Sequence, residues 1–135
     1  MHPATRSLVD GLIPLRQRWP GRGWSWDSRF SCVASSFHVD LEGEALEAVR
    51  ATFRREWGAH TLNQAPPLIQ GLAQLTSGVR AEQRLFSMEP SSGTVAFGLW
   101  WPWGDDLTIS LRVGLTGALG TEAEAPLCEL FNALD

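Results

Sequence analysis

The chain of 135 residues contains no lysine and no tyrosine, so all 11 of its cationic side chains are arginine. Arginine, alanine, glycine, proline and tryptophan are encoded by GC-rich codons, and their abundance indicates a high-GC bacterial genome. Because this codon bias favours arginine over lysine at any position, the presence of an arginine is not by itself evidence of a functional site in this chain.

Cysteine and histidine are scarce, with only Cys32, Cys128, His2, His38 and His60 in the whole chain. There is no Cys-x-x-Cys pair, no His-Glu-x-x-His, no Gly-x-Ser-x-Gly and no glycine-rich phosphate loop. The sequence therefore predicts no catalytic residues, no metal site and no cofactor. Both cysteines have apolar neighbours, which predicts buried free thiols rather than a disulfide.

Long apolar runs are also missing, and the N-terminus lacks the charged start and apolar stretch of a signal peptide. The chain carries a net charge of -4, with 44% hydrophobic and 19% charged residues. These fractions are typical of a globular protein, and the length fits one domain over residues 1–135. We expect a cytoplasmic protein with no membrane contact, and the acidic balance makes nucleic acid an unfavoured partner.

What the sequence does contain is a tryptophan-bearing hairpin. Residues 94–101 and 107–115 both alternate in polarity with the period of two that is typical of half-buried antiparallel strands. Pro102 and Gly104 lie between them and predict a turn. A third strand within residues 80–89 would precede this hairpin and make a meander from about 82 to 115.

The remaining elements predict an α+β fold: an antiparallel sheet of about four to five strands and three to four helices, packed mainly on one face. Residues 25–39 read as one strand and residues 14–24 as a loop. Apolar residues at helical spacing and terminal capping signals predict the helices. These helices span residues 4–13, 41–57, 67–77 and 126–134.

The hairpin turn is the predicted contact surface. If the strand extends that far, Trp101 joins the core, while Trp100 faces outward or lies under a neighbouring element. Trp103 lies in the turn itself, next to Asp105 and Asp106. Exposed indoles are frequent binding hot spots, and the two carboxylates favour a cationic partner surface. The alternative is that the indoles only close the end of the core.

A second hypothesis is a small-molecule-binding or enzymatic domain with a tryptophan-lined pocket. His38, His60 or the Asp105/Asp106 pair would supply its polar groups, and Trp24 is a candidate ligand-binding ring. For His38, a hydrogen-bonded structural role at the end of a strand is the alternative.

A weaker hypothesis is nucleic-acid contact through the segment from Arg16 to Trp24, where three arginines alternate with two tryptophans. A homodimer formed through an uncovered sheet face is compatible with every hypothesis. The sequence favours a non-catalytic protein-interaction module, such as an immunity-type inhibitor, a secretion chaperone or an adaptor, that binds another protein through the hairpin.

Overall fold

The computed structural model describes residues 1–133 as one antiparallel sheet flanked by helices. Residue 134, at the end of the predicted terminal helix, lies outside the described residues. Three short 3-10 turns connect some of the elements. The helices and strands are α1 (Pro3–Asp10), α2 (Ile13–Arg18), β1 (Ser25–Asp27), β2 (Cys32–His38), α3 (Glu42–Thr52), β3 (Arg55–Trp57), α4 (Pro67–Leu75), β4 (Arg84–Ser87), β5 (Thr94–Pro102), β6 (Thr108–Gly117) and α5 (Glu124–Phe131).

The strands lie in the order β1-β2-β6-β5-β4-β3. The meander β4-β5-β6 is therefore confirmed, and β5 pairs with β6 from Thr94 opposite Gly117 to Pro102 opposite Ile109. The α+β class and the antiparallel sheet are also confirmed, although six strands replace the four to five predicted.

Helices α1, α2, α3 and α5 pack on one side of the sheet, which we call the helix face. Helix α4 lies on the other side, the α4 face. Helices are thus concentrated on one face as predicted, but the opposite face is also partly covered. The largest buried side chains of the helix face are Leu12, Leu15, Phe86, Trp100, Ile109, Leu111, Leu127 and Phe131, and those of the α4 face are Ile69, Leu85, Phe97 and Leu99.

The predicted helix 41–57 is too long, because it includes β3. Helix α3 ends at Thr52, and Phe53 already has extended backbone angles. Trp57 lies in β3 on the α4 face, where its indole N–H donates to Ser87 Oγ at 3.0 Å. Helical spacing of these aromatic residues suggested a single stripe, whereas Phe53 and Trp57 enter the two different cores.

Two further corrections concern the N-terminal third. The predicted single strand 25–39 is a hairpin, because Ser31 adopts a φ of 50° and the chain reverses between β1 and β2. The predicted loop 14–24 begins with α2, since Pro14 occupies the first turn of that helix rather than merely ending α1. Proline fits there because the first turn of a helix does not use its backbone N–H groups.

Candidate functional site at the tip of the central hairpin

The turn between β5 and β6, residues 103–107, forms a projecting element that we call the tip. The backbone N–H of Trp103 donates to the carbonyl of Thr108 at 2.8 Å, which continues the hairpin pairing for one more step. Asp105 then accepts at Oδ1 from the N–H groups of Leu107 and Thr108, each at 2.9 Å. Its Oδ2 accepts from Thr108 Oγ1 at 2.9 Å. The tip is thus held by a carboxylate that bridges back to the start of β6.

These hydrogen bonds also affect the charge of Asp105. The backbone N–H of Leu107 is the largest influence and, with the hydroxyl and N–H of Thr108, it lowers the pKa of the Asp105 carboxyl. The carboxylate is therefore ionised at neutral pH, but its oxygens are engaged inside the tip. Asp105 shapes the tip, and in this conformation it is less available to a partner than the sequence suggested.

Asp106 differs from its neighbour. It adopts a φ of 59°, a left-handed conformation that aspartate tolerates better than most residues. Its side chain is exposed and makes no ion pair with the residues described, 1–133. Of the two predicted carboxylates, Asp106 is the one that faces solvent without an internal role.

The tip also exposes apolar surface. Trp103 is 49% exposed and Leu107 is 54% exposed. Across residues 1–133, the other exposed large hydrophobic side chains are Met1, Leu75 and, at only 36%, Ile13, all of which lie outside the tip. Single exposed apolar residues are common on protein surfaces, but two within one five-residue turn form a local patch beside Asp106.

Trp100 corrects the predicted contact set, because it is only 1% exposed. Strand alternation places it on the helix face, where its ring lies 5.3 Å from that of Phe37, centroid to centroid. Of the two positions predicted for Trp100, outward or under a neighbouring element, the structure shows the second. Trp100 is part of the core and is not accessible to a partner.

Trp101 lies on the α4 face, where it is partly buried and packs against the core of that face. The guanidinium of Arg112 lies 4.8 Å from the centre of its ring, and Phe30 contacts it edge-on at 5.6 Å. Arg112 Nε donates to Asp27 Oδ2 at 3.2 Å, and both side chains of this ion pair are 15% exposed. Arg112 also donates to Ser110 Oγ at 2.7 Å. We call Asp27, Phe30, Trp101, Ser110 and Arg112 the polar cluster.

The polar cluster is not predicted by the sequence. Its only available signal was the strand register: if Trp101 opposes Ser110, then Arg112 lies two residues further along β6 on the same face. Asp27 could not be assigned to this face, because the hairpin that brings β1 beside β2 was predicted as one strand.

The candidate ligand-binding residues do not converge. Trp24 is 4% exposed, with its ring packed 4.5 Å from that of Phe131. His38 ends β2 on the surface, and its Nδ1 accepts from the N–H of Asp40 at 3.1 Å. His60 follows β3, which is four strand positions away from β2, or roughly 19 Å at the usual strand spacing. These three residues share no pocket.

In the segment from Arg16 to Trp24, on which the nucleic-acid hypothesis depended, Trp24 is buried and Trp19 is partly buried. Trp19 and Trp24 lie 5.1 Å apart in the helix-face core, and the indole N–H of Trp19 donates to Ser35 Oγ at 3.0 Å. Arg16 and Arg18 are exposed on α2. Arg16, Arg22 and Trp19 line one surface hollow, whereas Trp24 is too deeply buried to offer a base a ring face to stack on.

Comparison of the chain with protein-family models, with curated proteins and with solved structures finds no match. Within residues 1–133, no group of three or more histidine, cysteine, aspartate or glutamate side chains is arranged to hold a metal ion. No helix in that range has the length and apolar character needed to cross a membrane.

Proposed function

We propose that the protein is a non-catalytic interaction module that binds another protein through the tip. The observation that carries the proposal is the exposure of Trp103 and Leu107 together on one hydrogen-bonded turn. A turn that is already ordered loses little conformational entropy on binding, and tryptophan buries a large area with few rotatable bonds.

The chemistry of the tip favours a partner with an apolar pocket and a cationic rim. Trp103 and Leu107 would enter the pocket, while Asp106 would face the rim. The net charge of -4 adds a weak long-range attraction for a basic surface. An immunity-type inhibitor, a secretion chaperone and an adaptor are all modules of this kind.

The proposal is tested by quantitative capture of partners from a native lysate with the wild-type chain, Trp103→Ala and Leu75→Ala. Leu75 is the matched control, because it is 76% exposed but lies on α4, away from the tip. A hot-spot tryptophan contributes about 2 kcal/mol or more, so we expect Trp103→Ala to lower the affinity for a partner by roughly 30-fold. Equal capture by all three chains would contradict the proposal.

A further inference from the structure

An open hollow lies directly beside the tip, at the outer edge of β2. Strand β1 pairs with β2 only as far as Ala34, so the second half of β2 has no strand neighbour on that side. The hollow has a volume of about 460 Å³, and its lining includes Pro20, Gly21, Arg22, His38, Leu41 and Thr108. That volume is sufficient for a large side chain such as an indole ring.

The tip and the hollow are adjacent on the same surface. Thr108 lines the hollow, and its carbonyl accepts the hydrogen bond from the N–H of Trp103. The N–H of Val39, next to His38, donates to the carbonyl of Leu107 at 2.9 Å. An exposed turn and a hollow therefore lie side by side at one end of the sheet.

The two features are also complementary in charge. The tip carries Asp106, whose carboxylate faces solvent, and Asp105, which is ionised. The hollow carries Arg22, whose side chain is exposed and makes no ion pair among residues 1–133. The carboxylate of one copy could therefore meet the guanidinium of another when the apolar tip enters the hollow.

We propose that two copies of this chain associate with two-fold symmetry, each inserting Trp103 into the hollow of the other and pairing Asp106 with Arg22. Two-fold symmetry satisfies both contacts at once, because each copy presents one tip and one hollow, and it closes the assembly at two copies. This inference extends the proposed function, because it uses the same tip, and it names a second copy as one partner of stated chemistry. Self-association would cover the tip until a tighter partner displaces it.

The contact is small compared with a permanent dimer interface, so we expect weak, concentration-dependent association. Salt screens the Asp106–Arg22 pairs, but it also screens the repulsion between two copies of net charge -4, so we expect only a small net effect of salt. Sedimentation of the full chain over a wide concentration range, at low and at high salt, measures this directly. A monomer at every concentration would overturn the inference, yet capture of a foreign partner through Trp103 would still support the proposed function.

Charge exchange tests the pairing itself. Asp106→Arg and Arg22→Asp each place like charges at both contacts of the symmetric dimer, so each variant alone should associate about tenfold or more weakly than the wild type. When the two variants are mixed, both contacts regain opposite charges, and we expect affinity within about threefold of the wild type. Failure of the mixture to regain association, or dimers that ignore either substitution, would overturn the pairing.

Asp106→Asn serves as the second variant, because asparagine also tolerates the left-handed backbone that arginine disfavours. It removes the charge while keeping the shape of the turn, and we expect it to weaken association less than Asp106→Arg does. Unchanged association of both Asp106 variants would count against the pairing. Leu75→Ala is the control remote from the tip, and loss of association in that variant would place the interface elsewhere and overturn the inference.

Discussion

The two faces of the sheet are closed by different means. On the helix face, four helices cover an apolar core in which Trp100 is fully buried. On the α4 face, a single helix packs on a second, smaller apolar core, and the polar cluster joins β1, β5 and β6 on the same side of the sheet. The neighbouring residues Trp100 and Trp101 belong to these two environments, so one step along the chain separates a core ring from a partly buried one.

This difference shows that a count of tryptophans says little about recognition. Alternation along β5 assigns Trp100 and Trp101 to opposite faces. The helices cover the Trp100 ring, and the side chains of Arg112 and Phe30 pack against the Trp101 ring. In the tip, where the strand pairing ends, Trp103 has no covering element, and among the tryptophans of residues 1–133 it is the one that is exposed. The accessible indole is therefore the one that belongs to neither face.

The largest effect is expected when the buried ring is removed. Trp100→Ala should lower the free energy of unfolding by about 3–5 kcal/mol, because it leaves a large cavity under the helices. Trp101→Ala should cost about 2 kcal/mol, since its ring is only partly buried and its loss removes the contacts with Arg112 and Phe30. Urea unfolding of both variants measures the difference. Equal losses of unfolding free energy would mean that the two rings are equally well packed.

The tightness of the α4 face can be tested with added methyl groups. A Cβ at Gly114 would lie 2.8 Å from the ring of Phe97 and 3.1 Å from Cβ of Cys32. Gly114→Ala should therefore destabilise the fold by about 1–3 kcal/mol. The matched change on the helix face is Gly98→Ala, whose nearest contact would be 3.3 Å from the ring of Phe53. We expect Gly98→Ala to lower the free energy of unfolding less than Gly114→Ala does. A larger loss in Gly98→Ala would mean that the helix face is the more tightly packed of the two.

Removing a charge from the polar cluster should have a moderate, pH-dependent effect. Asp27→Asn leaves the largely buried Arg112 without its anion, and the expected cost at neutral pH is about 1–2 kcal/mol, between exposed and buried ion pairs. Desolvation raises the pKa of the Asp27 carboxyl, but hydrogen bonds from Arg29 and Arg112 outweigh it, so the net pKa is lowered.

A lowered pKa determines the direction of the pH dependence. The contribution of Asp27 should be complete above its unfolded pKa of about 3.9 and should be lost as the pH falls through the lower folded value. The stability difference between the wild type and Asp27→Asn should therefore shrink in acid. A difference that stays constant from neutral pH to well below 3.9 would show that the carboxylate charge is not what stabilises the cluster.

The smallest stability effect is expected at the tip. Trp103→Ala should change the free energy of unfolding by less than about 0.5 kcal/mol, because the ring is half-exposed and the turn is held by Asp105. Asp105→Ala is the informative companion, since it removes three hydrogen bonds and should destabilise the fold more than Trp103→Ala does. If Trp103→Ala proved the more damaging of the two in thermal unfolding, the ring would be structural.

Strand alternation was enough to predict the central hairpin, the meander and the separation of Trp100 from Trp101. It could not show which face the helices would cover, so the accessibility of Trp100 was misjudged. The interpretation of Asp105 failed for a different reason: its carboxylate bonds depend on turn geometry, which residue type alone does not specify. The polar cluster required the pairing of β1 with β2, and that hairpin depends on the left-handed conformation of Ser31, a residue that rarely signals a turn by itself.

The most direct test of recognition at the tip is the solvent accessibility of each indole N–H in the dilute monomer. With tryptophan labelled by nitrogen-15, a soluble paramagnetic agent should broaden the Trp103 indole signal most and leave that of Trp100 sharp. Assignment by the Trp103→Ala and Trp100→Phe variants identifies the two signals. Protection of Trp103 equal to that of Trp100 would contradict the proposed recognition role of the tip.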